Sequence, residues 1–414
     1  ALALRGEGRM EEAEKALRAL MRKKQFLEPA KYELSMLLHA QGKHEEADEL
    51  ATELGFLYRL NDHVFEGGRS VSRRGEAEGR ALIYDDAVSE EMLKSLQEVF
   101  SDDSDFWSKH EYPTDFFFSY NAPLAEPQLS SGKRRRNSAS DAPGGALIQA
   151  LARRFIRLAR PLMEGKVAAS VEWWAHSRES CCAGHQLHFD LDEIRVREGE
   201  GFPHPLVSCV LYLHDGGSPT LVTDSSIDSP EDEDEDKASS TKGFLCRPKR
   251  GRVLLFDGGL LHGVCPTFFD GAEGTMGKKS TPRTTIMLGL WEEGVRTTRA
   301  RAKTSFMGPN MSEVSKTCRG KWSEMCSGEP QQDEERKAEP VKDFIPVGAL
   351  WKEVGKGKRK GKGKGGGADF EDLGKFMLKG HPKEVRGLCT GKPKDVPGAV
   401  TIITREELEK LMKK

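Results

Sequence analysis

The chain has 414 residues, enough for two or three domains, with 37% hydrophobic and 31% charged residues. That balance is polar for one compact globule and fits a folded centre with disordered flanks. A net charge of −2 predicts neither nucleic-acid nor membrane binding, and no apolar run is long enough to span a bilayer.

The first predicted element is a helical repeat. Gly8-Arg9-Met10-Glu11-Glu12-Ala13 recurs as Gly42-Lys43-His44-Glu45-Glu46-Ala47, at an offset of 34 residues. That offset is the tetratricopeptide period, and Pro29 falls between the helix pairs. Residues 1–56 thus resemble the end of a tetratricopeptide array, with an ordinary helical hairpin as the alternative. Such arrays need about three repeats and the chain opens on Ala1, so an upstream segment with any targeting signal is expected.

Ala81 to Asp86 reads as an opening strand, and Ser89 as the N-cap of a following helix. Residues 127–143 read as a mobile loop. Its Lys133-Arg134-Arg135-Arg136 tetrad is either a solvated cluster or a nuclear import signal. Ala146 to Met163 is amphipathic and is expected to pack outside the core.

Ser170 to Trp174 begins the strand-rich part. In Gln186-Leu187-His188-Phe189-Asp190-Leu191, alternation along a strand turns His188 and Asp190 to one face. It turns His185 to the other, and Asp192, on the face of Asp190, is a reserve carboxylate. Pro205 to Leu213 is a further strand, followed by Gly216-Gly217. The acidic run Glu231 to Asp236 reads as a solvated loop, with calcium binding as a lesser alternative. Gly251 to Phe256 is a strand ended by the turn Asp257-Gly258-Gly259, after which Leu260 to Val264 sets His262 at a strand mouth. Arg283 to Trp291 reads as the last core strand, with Arg283 and Thr285 on one face.

Beyond it, residues 298–367 read as a disordered linker, and the Lys/Gly alternation from Lys356 to Gly367 cannot bury a core. Bare lysines give only unspecific, salt-sensitive attraction to acidic partners, with no specific nucleic acid implied. Residues 368–414 are a small C-terminal element or tail. The eight cysteines are scattered and include no C-x-x-C pair. They read as reduced thiols of an intracellular protein, cytoplasmic or nuclear.

The chemistry converges on four side chains. His188, Asp190 and His262 can hold one face of a ferrous ion and leave the other open. Arg283, beside Thr285, can pin the far carboxylate of an organic acid. Tyr212 either packs in the core or reaches that carboxylate. His176, His185, His204 and His214 read as ordinary core or loop histidines. Two histidines and a carboxylate also suit catalytic zinc in a hydrolase, although no separate general base is visible.

Over roughly residues 75–297 the combination resembles the 2-oxoglutarate and iron(II)-dependent dioxygenases, in the branch that includes the prolyl hydroxylases. The resemblance rests on His188-Phe189-Asp190, the distant His262 and the basic residue a strand later. Pro205 to Leu221 matches in addition the family's strand and Gly-Gly turn. One departure is the spacing of 21 positions from His262 to Arg283, with its excess in Asp270 to Gly277. It leaves Lys278 or Lys279 as the next candidates for the basic anchor.

The resemblance implies a mainly β fold, a double-stranded β-helix (jelly roll) with flanking helices, behind the helical repeat. It implies a metal site of His188, Asp190 and His262, and 2-oxoglutarate bound by Arg283 and Thr285, with Tyr212 as a further contact. Fe(II) and 2-oxoglutarate are the implied cofactors, with ascorbate as reductant. The expected reaction hydroxylates a protein or peptide side chain, proline first, and releases succinate and CO2. A small molecule or lipid is the alternative substrate. The repeat would offer a peptide-binding face, and the rival reading is a non-catalytic scaffold with a degenerate barrel.

Overall fold

The structure is a computed structural model that describes Leu4 and residues 9–77, 79–104, 107, 119–124, 143–178, 184–228, 241–266, 283–295, 338–354 and 376–378. The basic tetrad, the acidic run, the 270–277 loop with Lys278 and Lys279, the Lys/Gly run and Val400 onward lie outside the described residues.

Three helices open the chain: α1 (Met10–Leu20), α2 (Leu27–Ala40) and α3 (His44–Glu53). On α1, Ala13, Ala16, Leu17 and Leu20 recur at helical spacing and are buried. Ala13, Leu17 and Leu20 pack with Leu34, Leu37 and Ala47 of the next two helices. A short strand β1 (Tyr58–Leu60) and a one-turn helix α4 (Asp62–Phe65) follow. Asn61 caps α4 by accepting the backbone N–H of His63.

Two antiparallel sheets make the core. One contains β2 (Ala81–Tyr84), β3 (Tyr120–Pro123), β4 (Ser170–Arg178), β6 (Val207–Tyr212), β9 (Val253–Asp257) and β11 (Arg283–Trp291), in the order β2-β9-β6-β11-β4-β3. The other contains β5 (His185–His188), β7 (Thr220–Ser226), β8 (Gly243–Cys246), β10 (Leu260–Val264) and β12 (Ile345–Val347), in the order β12-β8-β7-β10-β5. Non-sequential neighbours in both mean that the chain crosses repeatedly between the layers. Ile83, Val210, Tyr212 and Phe256 from one sheet meet Val222, Cys246 and Leu260 from the other in a shared core.

Alternation decides what each face of the six-stranded sheet does. Ile286, Leu288 and Leu290 of β11, with Val171, Trp173 and Ala175 of β4, pack against α5 (Glu90–Val99) and α6 (Pro143–Ala159). The intervening residues of both strands face the second sheet. Ser89 caps α5 as the sequence indicates, its Oγ accepting the Met92 N–H at 3.2 Å. A short helix α7 (Glu193–Glu198) follows β5.

The outer face of the five-stranded sheet is covered by the N-terminal segment. Met36, Ala51 and Phe56 share a cluster with Leu187, Phe189, Leu221 and Leu245.

The flank beyond Trp291 differs from expectation. Within the stretch read as a linker, β12 pairs with β8 and completes a core sheet. Strands β13 (Trp351–Glu353) and β14 (Met377–Leu378) clasp β1 from both sides. These strands are two or three residues long, too short to show a period-2 pattern, and their burial comes entirely from distant segments. Arg252, itself buried, binds Asp85 and Asp343 and so ties the segment before β12 to the core.

Candidate active site

A cleft opens between the sheets, lined among others by His188, Asp190, His262, Arg283, Thr285 and Met287. Its metal-competent corner is built by strand pairing. His188 on β5 and His262 on β10 are Cα partners, and their ring centroids lie 4.3 Å apart. Asp190 follows the end of β5. Its Oδ1 is 3.7 Å from His188 Nε2 and its Oδ2 is 3.6 Å from His262 Nε2. One ligand atom from each residue lies within 4.8 Å of the others, and this is the sole such group among the described residues.

Each imidazole is oriented by backbone. His188 Nδ1 donates to Gln186 O, and His262 Nδ1 to Leu260 O, both at 2.9 Å. A carbonyl can only accept, so the proton sits on Nδ1 and each Nε2 keeps its lone pair toward the common point. Ser208 Oγ donates to Asp190 Oδ2 at 2.7 Å and orients the carboxylate. Two neutral imidazoles and one carboxylate fit a divalent iron or zinc ion.

Arg283 and Thr285 enter the same cleft from β11. Arg283 is 5% exposed. Its Nε donates to Ser218 O at 3.0 Å and its Nη2 to Thr220 Oγ1 at 2.9 Å. Its Cζ lies 5.3 Å from the centroid of the Tyr212 ring. Among the described residues no carboxylate pairs with this buried cation. Thr285 Oγ1 is also buried and has no hydrogen-bond partner among the described residues. A guanidinium and a hydroxyl that the described residues leave without a counter-ion and a hydrogen-bond partner together fit an anionic ligand. Tyr212 is fully buried, with its hydroxyl 2.7 Å from Thr220 Oγ1. Burial, with the neighbouring Cys246, pushes its phenol well above the usual range. Gly217, at φ +90°, presses on the Arg283 stem, and a Cβ there would lie 2.9 Å from Arg283 Cβ. The Gly-Gly turn thus forms part of the anchor's cradle.

Two expectations need correction. His185 does not face away from His188: it lines the same cleft, with ring centroids 4.9 Å apart. The pairs His262↔His188 and Val264↔His185 span two residues on β10 but three on β5. The extra residue is a bulge, and it returns His185 to the inner face. Gly263 makes room for it, since a Cβ there would meet His185 O at 2.8 Å and Gln186 O at 2.9 Å. Asp192 is no reserve ligand either. It caps α7, with Oδ1 accepting the N–H groups of Ile194 and Arg195. The chain has turned into the helix by that point, so strand alternation no longer applies.

His176 also lines the cleft. His204 bonds Asp228, and burial lowers its basicity. His214 lies beside Gln97, and burial lowers it likewise. Sequence reasoning passed over Ser208, Ser218, Thr220 and Glu172. Of these, Glu172 carries a visible signal: an acid within an aromatic strand. Burial pushes its carboxyl up to about 7, the Asp190 charge adding to the effect and a hydrogen bond from Ser119 opposing it. Cys209, Cys246 and Cys265 are free thiols. No described helix is long and apolar enough to cross a membrane.

No family model matches the chain, and no curated protein matches it. Similar solved structures include the non-haem alpha-ketoglutarate-dependent carbocyclase SnoK from nogalamycin biosynthesis. It is 9% identical, with 56% of this chain and 88% of that one covered and a TM-score of 0.34. A Pseudomonas putida prolyl-4-hydroxylase is 14% identical, covering 52% and 93%, with a TM-score of 0.29. HygX from Streptomyces hygroscopicus, with nickel and 2-oxoglutarate bound, is 14% identical, covering 51% and 83%, also with a TM-score of 0.29.

Proposed function

We propose that this chain is an iron(II)- and 2-oxoglutarate-dependent dioxygenase that hydroxylates a protein or peptide side chain, proline first, with ascorbate as reductant. The observation that carries this reading is the buried Arg283, without a carboxylate partner among the described residues, in one cleft with the converging Nε2, Nε2 and carboxylate donors.

His188, Asp190 and His262 would hold the iron, with one negative charge from the protein. Arg283 and Thr285 would bind the distal carboxylate of 2-oxoglutarate, and Thr220, Ser218 and Tyr212 hold the guanidinium in place. Iron with 2-oxoglutarate and dioxygen supplies the oxidising power, consuming the cosubstrate to succinate and CO2 as the substrate is hydroxylated. The residues' own work is to orient these groups and to keep the donors free of competing protons. His188 and His262 do the latter by committing their Nδ1 protons to backbone carbonyls.

The test is an anaerobic titration with iron(II) and 2-oxoglutarate, then measurement of 14CO2 release in air with and without peptide pools. Stoichiometric iron, 2-oxoglutarate binding that depends on it and CO2 release support the proposal. Tight zinc retention with peptide cleavage and no CO2 release overturns it in favour of a hydrolase. Stimulation by a metabolite or lipid extract but never by peptides keeps the oxygenase and replaces its substrate.

A further inference from the structure

Arginines from two connections gather on the turn after α4, outside the lining of the cleft. Arg69 and Arg74 lie in the link between α4 and β2, and Arg247 follows β8 directly. Each is held by a backbone carbonyl of that one turn. Arg69 Nε donates to Glu66 O at 3.1 Å, and Arg74 Nη1 to Val71 O at 2.7 Å. Arg247 donates to Gly67 O through Nε at 3.4 Å and Nη2 at 3.3 Å.

The carboxylates around this turn are committed elsewhere. Asp343 lies 3.3 Å from Arg74 Nε and 2.6 Å from Arg252 Nη2. Asp85 is taken by Arg252 and Lys249. Among the described residues no carboxylate bonds Arg247, and neither its Nη1 nor the Arg74 Nη2 has a protein acceptor. Arg247 is nevertheless half-buried. Burial lowers its basicity, the Arg74 and Arg69 charges add to the effect, and Asp343 opposes it. Like charges brought together repel, so the fold holds this guanidinium at a cost that an anion would remove.

We propose that Arg74 and Arg247 form a binding site for a phosphoryl group, with Arg69 adding to the positive field. The carbonyl contacts fix two planar forks and leave an edge of each unspent. A single carboxylate would fill one fork. A phosphoryl group offers three oxygens and close to two negative charges, and so can serve both. This site is independent of the oxygenase reading and needs no metal. An anion in it would tie the α4–β2 link to the β8–β9 connection, and binding to the folded chain alone would raise stability.

The experiment is calorimetric titration of the full, metal-free chain with pyrophosphate and with inorganic phosphate, chloride being adjusted to hold the ionic strength constant. Saturable pyrophosphate binding is expected, with a melting temperature that rises with its concentration. Arg247→Gln and Arg74→Gln should each weaken pyrophosphate by about tenfold or more, the loss of a charge-assisted pair. Arg247→Lys keeps the charge without the fork and should lose about threefold or more; it decides the matter if Arg247→Gln melts earlier than the parent. Arg283→Leu should bind pyrophosphate as the parent does. Absence of saturable binding overturns the proposal, and so does unaltered affinity in the Arg247 variants. Loss in Arg283→Leu with retention in Arg247→Gln would put the anion in the cleft and overturn it equally. Co-sedimentation with phosphatidylcholine vesicles, with and without phosphatidylinositol bisphosphate, separates the sources. Arg247-dependent pelleting supports the site with a lipid headgroup as its ligand, and pyrophosphate binding without pelleting supports it with a soluble one.

Discussion

His188 and His262 are Cα partners on adjacent strands, and each donates its Nδ1 proton at 2.9 Å to a carbonyl two residues earlier in its own chain segment. The two rings are therefore oriented by backbone, which no side-chain substitution nearby removes. Their paired geometry makes the ligand set a property of strand register.

From that register, His188→Ala, His262→Ala and Asp190→Ala should each abolish iron-dependent CO2 release from 2-oxoglutarate. Thermal melting should change little, because the three line a cleft. Asp192→Ala should do the opposite: it removes the α7 cap and costs about 0.5–2 kcal/mol of stability, while iron binding survives. Loss of iron binding in Asp192→Ala with retention in Asp190→Ala would refute this assignment.

Arg283→Leu should raise the 2-oxoglutarate requirement by about 10- to 150-fold, since a charge-assisted hydrogen bond contributes about 1.5–3 kcal/mol. Iron affinity should hold. Gly217→Ala should raise the same requirement and lower the melting temperature. Its φ of +90° is strained for alanine, and its Cβ would crowd Arg283. Titration of 2-oxoglutarate against iron-loaded protein reads both. An unchanged requirement in Arg283→Leu would move the anchor elsewhere.

His39 gives the chain an acid-sensitive point. It is fully buried and stacked on Phe65 at 4.6 Å. Burial, with the Arg59 charge, lowers its pKa to about 2. The unfolded chain therefore takes up a proton near pH 6.5 that the folded chain refuses. The stabilising contribution is complete above pH 6.5 and is lost as pH falls below it, at about 1.4 kcal/mol per pH unit. That amounts to about 2 kcal/mol by pH 5. Denaturant melts of His39→Phe between pH 7 and 5 should show a slope smaller by about one proton, and an unaltered slope would place the acid sensitivity elsewhere.

Much of this site was legible in the sequence because it rests on local periodicity. β11 begins and ends where the alternation from Arg283 to Trp291 indicates. The His188, Asp190 and His262 convergence follows from a strand and a Gly-Gly turn. What was illegible depends on partners far along the chain. The β5 bulge that brings in His185 is set by pairing with β10. The role of Asp192 depends on a helix that starts one residue later. Strands β12 to β14 exist only because β8 and β1 present open edges to them.

The N-terminal helices supply the last prediction. Read from sequence, residues 1–56 resemble the end of a tetratricopeptide array that would offer a peptide-binding face. In the structure Met36, Ala51 and Phe56 cover Leu187 and Phe189, the residues on either side of His188. Removing the segment would expose those side chains and the outer face of the sheet that carries two candidate ligands. Deletion of residues 1–56 should therefore lower the melting temperature and promote association. Iron binding should weaken with it, since Leu187 and Phe189 hold the strand that positions His188. Phe56→Ala should reproduce the stability loss in the full chain, at about 3–5 kcal/mol for a buried phenylalanine. Calorimetry of the two variants with iron titration checks this. An unchanged melting temperature in the deletion would mean that the helices are an independent unit and that the sheet needs no cover from them.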